Sequence, residues 1–335
     1  MSRKFLFPLL LALTLIFSAC APVATPAPTA TDIPAATETT APAETATAEA
    51  SPTADSITLT DGLNRTVTIK GPAQHIISLA PSSTEILYAI GAGPQVIARD
   101  KNSDYPEAAK ALTDIGGSDA YNKVNTEQLL ALKPDLILAA NITPQEQIKA
   151  LEDVGLIVFE LPNPTDLNGM YENLRITAKL TGHTAETETL ITSLQARVKT
   201  VADKLATSQE KPSIFYEIDG TDIKAPWTPG PGSFIDTMIT LAGGRNVGAG
   251  LKDQWAQISL EELVKQDPDF IVLGDAVWGN ITADAVKQRA GWAGMKAVKN
   301  SAIFPFDDNL LSRPGPRLVD GLEALAKLLH PELFK

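Results

Sequence analysis

The sequence predicts an α/β fold of two lobes, each with a parallel-rich sheet flanked by helices, joined by one long backbone helix. Three observations predict it. Short apolar runs alternate with helical stretches from residue 75 onward, which is the pattern of parallel strands and crossover helices. One stretch occurs twice, as NTEQLLALKPDLILAA at 125–140 and SLEELVKQDPDFIVLG at 259–274, an offset of 134 measured from Glu127 to Glu261. The clearest helix of the chain, 185–207, lies between the two copies. Leu190, Ile191, Leu194, Val198, Val201 and Leu205 recur there at three- and four-residue steps. At 1.5 Å per residue it is roughly 30 Å long, about the width of a lobe. It reads as a strut, and a stiff strut restricts how far two lobes can close.

The two copies share one plan. Asn125 and Ser259 are N-caps, and Gln128 and Glu262 stand where a capping-box partner belongs. Leu129 and Leu130 answer to Leu263 and Val264, while Gln266 breaks the match to Leu132. Pro134 and Pro268 stop each helix, because a proline ring cannot continue the hydrogen-bond ladder. Asp135 and Asp269 then lead into the apolar runs Leu136–Ala140 and Phe270–Leu273, which fit strands buried on both faces. Each helix begins with an acid, Glu127 or Glu261. From the residues alone these acids either complement the helix dipole or form a pair of acidic knobs, one per lobe.

In chain order, residues 1–20 read as an export signal. Arg3 and Lys4 precede an apolar stretch, Phe5–Phe17, that is too short to span a bilayer comfortably. Phe17-Ser18-Ala19-Cys20 resembles the bacterial lipobox, with Phe17 where Leu is usual, and Cys20 is the only cysteine of the chain. Lipidation at Cys20 would anchor the protein to a membrane. Residues 21–55, almost all Ala, Thr and Pro, read as a disordered tether spanning roughly 30 Å. The N-terminal lobe is assigned to 56–168. It opens with a hairpin, Ile57–Thr60 and Thr66–Ile69 around Asp61-Gly62. A strand at 75–80, a helix from Pro81 stopped at Gly91 and Gly93, a strand at 96–98, the first copy, a helix at 144–154 and a strand at 156–161 follow. A connecting region, 169–210, holds the strut. The C-terminal lobe, 211–335, repeats the order: the strand Ser213–Ile218, a loop 219–232, a helix stopped at Gly243-Gly244, the second copy, a strand at 302–306, a polar loop 307–316 and a closing helix 317–329.

Composition excludes several functions. The 40 acids against 28 bases give a net charge of −12, which argues against a nucleic-acid partner. The three histidines, His75, His183 and His330, lack metal-ligand spacing, so no metal site is expected. No nucleophile motif or phosphate-binding loop stands in a strand–turn–helix context, so no catalysis and no cofactor are expected. What remains is a set of aromatic and polar residues on loops after strands, where open α/β sheets bind ligands. On the first lobe these are Ser82, Ser83, Asn102, Tyr105, Tyr121 and Asn141. On the second they are Trp227, Trp255, Trp278, Asn309 and Arg313. Tyr105, before Pro106, reads as structural. Arg313 either clamps an anionic ligand group or pairs with Asp307 or Asp308.

SLAPSSTEILYAIGAG, SDYP, NTEQLLALKPDLILAA, PGPGSFIDTMITLAGGRNV, WAQISLEELVKQDPDFIVL and RPGPR, in that order, resemble the substrate-binding lipoproteins of bacterial ABC importers. The resemblance is to the cobalamin and iron-siderophore group of periplasmic binding proteins, and it covers residues 56–335. It implies a monomeric, extracytoplasmic, lipid-anchored protein that holds a small, metal-containing ligand between its lobes and delivers it to a permease and its ATPase. In cobalamin-binding members one glutamate per lobe docks onto permease arginines, and the matching positions are Glu127 and Glu261. Asn102, Asn141 and Leu310 stand where such members carry aromatic walls, while Tyr121, Trp227 and Trp278 offer a different aromatic set. The expected ligand is a corrinoid, with a ferric siderophore or haem as the alternative. An anionic iron chelate would need more cations than Arg313, Lys101 and Arg317.

Overall fold

The duplicated stretch becomes the same structural unit twice. In a computed structural model, residues 56–117, 119 and 121–335 are described. The expected signal (1–20), the expected tether (21–55) and Cys20 lie outside the described residues. The first lobe runs β1 (Ile57–Thr60), β2 (Thr66–Ile69), β3 (Ile76–Ser78), α1 (Pro81–Ala89), β4 (Val96–Arg99), β5 (Thr113–Asp114), α2 (Thr126–Leu132), β6 (Leu136–Ala140), α3 (Gln145–Asp153) and β7 (Val158–Leu161). Next come α4 (Leu167–Thr181) and α5 (Thr184–Leu205). The second lobe runs β8 (Ser213–Glu217), β9 (Trp227–Pro229), α6 (Phe234–Leu241), β10 (Arg245–Asn246), β11 (Trp255–Gln257), α7 (Leu260–Gln266), β12 (Phe270–Leu273), α8 (Ala283–Lys287), α9 (Lys296–Lys299), β13 (Ile303–Pro305), α10 (Asn309–Ser312) and α11 (Leu318–Leu329).

There are two main sheets. The first has the order β5-β4-β3-β6-β7 and the second β10-β8-β12-β13, with every neighbouring pair parallel. β1 and β2 form the expected antiparallel hairpin. Its turn is organised by Asp61, whose carboxylate accepts the backbone N–H groups of Leu63 (3.0 Å) and Arg65 (2.9 Å).

In both copies the helix ends on a left-handed residue, Lys133 (φ 50°) or Asp267 (φ 46°), directly before the proline. The aspartate after that proline then fastens the neighbouring strand. Asp135 accepts the backbone N–H groups of Gln74 (2.7 Å) and His75 (3.0 Å) at the entry of β3. Asp269 accepts that of Ser213 (2.9 Å) at the entry of β8. The capping box is only half made. Asn125 and Ser259 each accept the N–H three residues on, at 3.2 Å. Gln128 instead donates to the Asp114 carbonyl, and the Glu262 carboxylate turns to Lys265 and Gln266.

The connecting region differs from expectation. It contains two helices, because α4 follows its own N-cap, Asp166, which accepts the Gly169 N–H at 2.8 Å. Leu167, Met170, Tyr171, Leu174 and Ala178 give α4 an apolar face, and Gly182 (φ 84°) ends it. α5 is the strut. It packs on α4 along one side and on α11 along the other. Its Ile191, Leu194 and Val201 belong to a core that also contains Ile76 and Leu138 of the first sheet and Ile214 and Val272 of the second. Arg197 binds Asp320 and Glu323 on α11 at 2.5–2.9 Å. The outer faces of the sheets have separate cores, one around Ile77, Leu79 and Ile137 and one around Phe215, Ile271 and Trp292. The loop expected at 219–232 also differs. It contains β9, which pairs antiparallel with β11 and brings Trp227 opposite Gln257 and Pro229 opposite Trp255.

Candidate functional site

Residues just past the C-terminal ends of β3, β6 and β7 on one lobe, and of β8 and β13 on the other, line one cleft of about 370 Å³. This is where parallel sheets leave backbone and loop groups free for a ligand. From the first lobe come Pro81, Ser82, Ala140, Asn141, Ile142 and Asn163. From the second come Ile218, Phe234, Ile235, Trp255, Asp308, Ser312, Arg313 and Pro314. The Trp255 indole meets the Phe234 ring edge-to-face, with centroids 5.3 Å apart. That contact fixes an aromatic wall at the end of the two-stranded ribbon.

Of the expected ligand residues, Ser82, Asn141, Trp255 and Arg313 line this cleft, while Asn102, Tyr121, Trp227, Trp278 and Asn309 do not. Tyr121 is 96 % exposed on the loop before α2, and Trp278 is 59 % exposed on the loop after β12. Trp227 is half exposed on β9. Asn102 presents only its carbonyl to Arg313 (3.3 Å), and Asn309 donates its backbone N–H to Asp307 (3.2 Å). Asn163, Phe234, Asp308 and Ser312 were missed. Asn163 and Asp308 obey the same loop-after-strand rule that found Ser82, whereas Phe234 reads in sequence as one more apolar residue of α6.

Arg313 does not pair with Asp307 or Asp308, the partners expected in its own loop; it crosses to the other lobe. Its Nη1 lies 2.5 Å from Asp104 Oδ1 and 3.3 Å from Glu85 Oε1. Arg317, four residues on, binds both oxygens of Glu85 at 2.8 and 2.5 Å and stacks over the Tyr105 ring at 4.0 Å. Glu85, on α1, is 3 % exposed. The segment Arg313-Pro-Gly-Pro-Arg317 is thus a strap from the second lobe pinned to α1 of the first. Burial pushes the Asp104 carboxyl up, but the Arg313 hydrogen bond and charge outweigh it and hold it below its ordinary value. Lys101 donates to Asn122 (2.9 Å) and does not line the cleft. Deeper in the cleft, Asp308 accepts the Tyr216 hydroxyl at 2.7 Å. Burial raises the Asp308 carboxyl against hydrogen bonds from Ser312 and Tyr216.

Behind the cleft-lining Ile218 sits a buried charge cluster. Glu217 is fully buried and is held by Arg289 at 2.5 and 2.8 Å, while Asp275 accepts the Gly220 N–H at 2.9 Å. Burial pushes Glu217 from 4.5 up to about 7, against the Arg289 hydrogen bond, with the nearby Asp275 charge adding to the rise. Burial raises Asp275 as well. The folded protein therefore keeps protons that the unfolded chain releases near pH 4.5. The stability linked to this cluster is complete at pH 4.5 and below, and is lost as pH rises through about 7. The expected loss between pH 4.5 and 8 is on the order of 3 kcal/mol. Asp275→Asn should flatten this slope, as urea unfolding at several pH values would show.

Glu127 and Glu261 are both exposed in the first turns of α2 and α7. Among the described residues neither side chain makes a hydrogen bond or ion pair. No group of three or more His, Cys, Asp or Glu among the described residues could hold a metal ion. No helix among them is long and apolar enough to cross a membrane.

The family model for periplasmic binding proteins matches residues 76–310. An uncharacterised ABC transporter substrate-binding lipoprotein of Bacillus subtilis is 33 % identical, over 83 % of this chain and 87 % of its own. A vitamin B12-binding protein of Yersinia pestis is 32 % identical, over 76 % of this chain and 86 % of its own. Among solved structures, a periplasmic heme-binding protein from Pseudomonas aeruginosa superimposes with a TM-score of 0.68 at 28 % identity, over 77 % of this chain and 93 % of that one. With a family match over well over half its length and a relative one-third identical along most of it, the chain belongs to the periplasmic binding protein family.

Proposed function

We propose that this protein is the extracytoplasmic substrate-binding component of an ABC importer, and that it captures cobalamin or a related corrinoid between its lobes for delivery to the permease. The cleft carries this reading. It is lined by neutral hydrogen-bonding groups (Ser82, Asn141, Asn163, Ser312) and an aromatic wall, Trp255 on Phe234. Its one cation, Arg313, is already paired with two carboxylates. Such a surface suits a large neutral ligand edged with amides better than an anionic iron chelate, which needs free guanidinium or ammonium groups. Relatives that bind vitamin B12 support the same choice. The protein acts by binding rather than by catalysis, as a monomer held at the membrane through Cys20. Glu127 and Glu261 are its contacts to the permease.

Titration of the protein with cobalamin, haemin and a ferric siderophore tests the ligand. Cobalamin is expected to quench Trp255 emission with the tightest saturable binding of the three. Tighter binding of haemin or of the siderophore would overturn the corrinoid reading in favour of that ligand.

A further inference from the structure

The strap does more than join the lobes. Four charges meet at it, Glu85 and Asp104 from the first lobe and Arg313 and Arg317 from the second, and they cancel. Only Arg313 of the four faces the cleft. Glu85 is deeply buried and already satisfied by Arg317 through both its oxygens, so it cannot leave without stranding charge. The Asp104 side chain is different: it is 53 % exposed, on the polar loop after β4. Its contact with Arg313, at 2.5 Å, is also the shorter of the two ion pairs that Arg313 makes.

We propose that Asp104, backed by Glu85, is a charge filter for the cleft: by occupying the Arg313 guanidinium it leaves no cation for an anionic ligand and sets the preference for a neutral one. This rests on the corrinoid reading above and names the residue that enforces it. A ligand carboxylate entering the cleft has to displace Asp104 from Arg313, and it also meets Asp308 on the same lobe. A ligand whose edge carries amides meets neither obstacle, because Ser82, Asn141 and Asn163 offer donors and acceptors without net charge. Specificity of this kind is built by repulsion as well as by attraction.

The test compares haemin, an iron macrocycle bearing carboxylates, with cobalamin on the wild-type protein and on Asp104→Asn. The ratio of haemin to cobalamin affinity should rise about tenfold in Asp104→Asn, and the gain should shrink in molar salt as an ionic effect does. Asp104→Glu should keep the wild-type ratio, and adding Arg313→Gln to Asp104→Asn should erase the gain. A ratio unchanged in Asp104→Asn, with cobalamin still preferred, overturns the filter and leaves the corrinoid reading standing. A gain that survives Arg313→Gln also overturns it, because the freed guanidinium is then not its source. A wild-type protein that prefers haemin overturns both the filter and the corrinoid reading.

Discussion

Reversing both acids, Glu127→Arg with Glu261→Arg, is expected to abolish uptake while cobalamin affinity in solution stays within about twofold of wild type, as is usual for charges outside a binding site. The two glutamates occupy equivalent places, the first turns of α2 and α7, one on each lobe. Both are exposed, and neither lines the cleft. An acid at a helix start gains slightly from the dipole, so reversal costs a little local stability. Under the proposed docking role transport is more sensitive, since a cation set against a permease arginine would repel where the native acid would attract, and the two sites would act together as a bivalent contact. Each single reversal should therefore retain part of the transport. The measurement is uptake of labelled cobalamin by cells or by permease-containing vesicles, alongside titration of the free protein. Full uptake by the double variant would leave the glutamates with the dipole role alone.

The largest expected effect on stability comes from Arg289→Met, about 3–5 kcal/mol at pH 8, the usual range for breaking a buried ion pair from one side. Arg289 is the cation that holds Glu217, and it also stacks over the Trp292 ring at 4.5 Å. Without it, Glu217 and Asp275 would be buried acids with no counter-charge. They can escape by taking up protons, and their carboxyls already stand above their ordinary values. The loss should therefore be much smaller at pH 5 than at pH 8, and unfolding in urea at the two pH values would show it. A loss equal at both would mean that Arg289 acts through its packing on Trp292 instead.

Much of the architecture could be read from residue pattern. The duplicated stretch carried its N-cap, helix stop and buried strand in plain order, and both copies folded as one unit. α5 was visible because its apolar residues keep helical spacing from Leu190 to Leu205. α4 was obscured by Pro162, Pro164 and Gly169 at its start, where turn signals compete with a genuine N-cap at Asp166. β9 was hidden for a similar reason: Trp227-Thr-Pro is too short to show alternation and becomes a strand only by pairing with β11.

The site was less legible. Looking to loops after strands brought out Ser82, Asn141, Trp255 and Arg313, which line the cleft. Which loop residue turns inward depends on tertiary packing, so Tyr121 and Trp278, chosen for their chemistry, proved to be outward-facing. The partners of Arg313 were unreadable in principle. Asp307 and Asp308 are its neighbours in sequence, but the guanidinium settles on Glu85 and Asp104, which are more than 200 positions away.

The shared interior around α5 has a consequence for how the molecule ages in use. A folded protein is attacked by proteases mainly through its partly opened forms, and their abundance depends on how separable its pieces are. Here the same helix supplies part of the lining of both halves, so opening one half on its inner side also exposes apolar residues of the other. Damage that loosens the α5 packing is therefore felt in both halves at once.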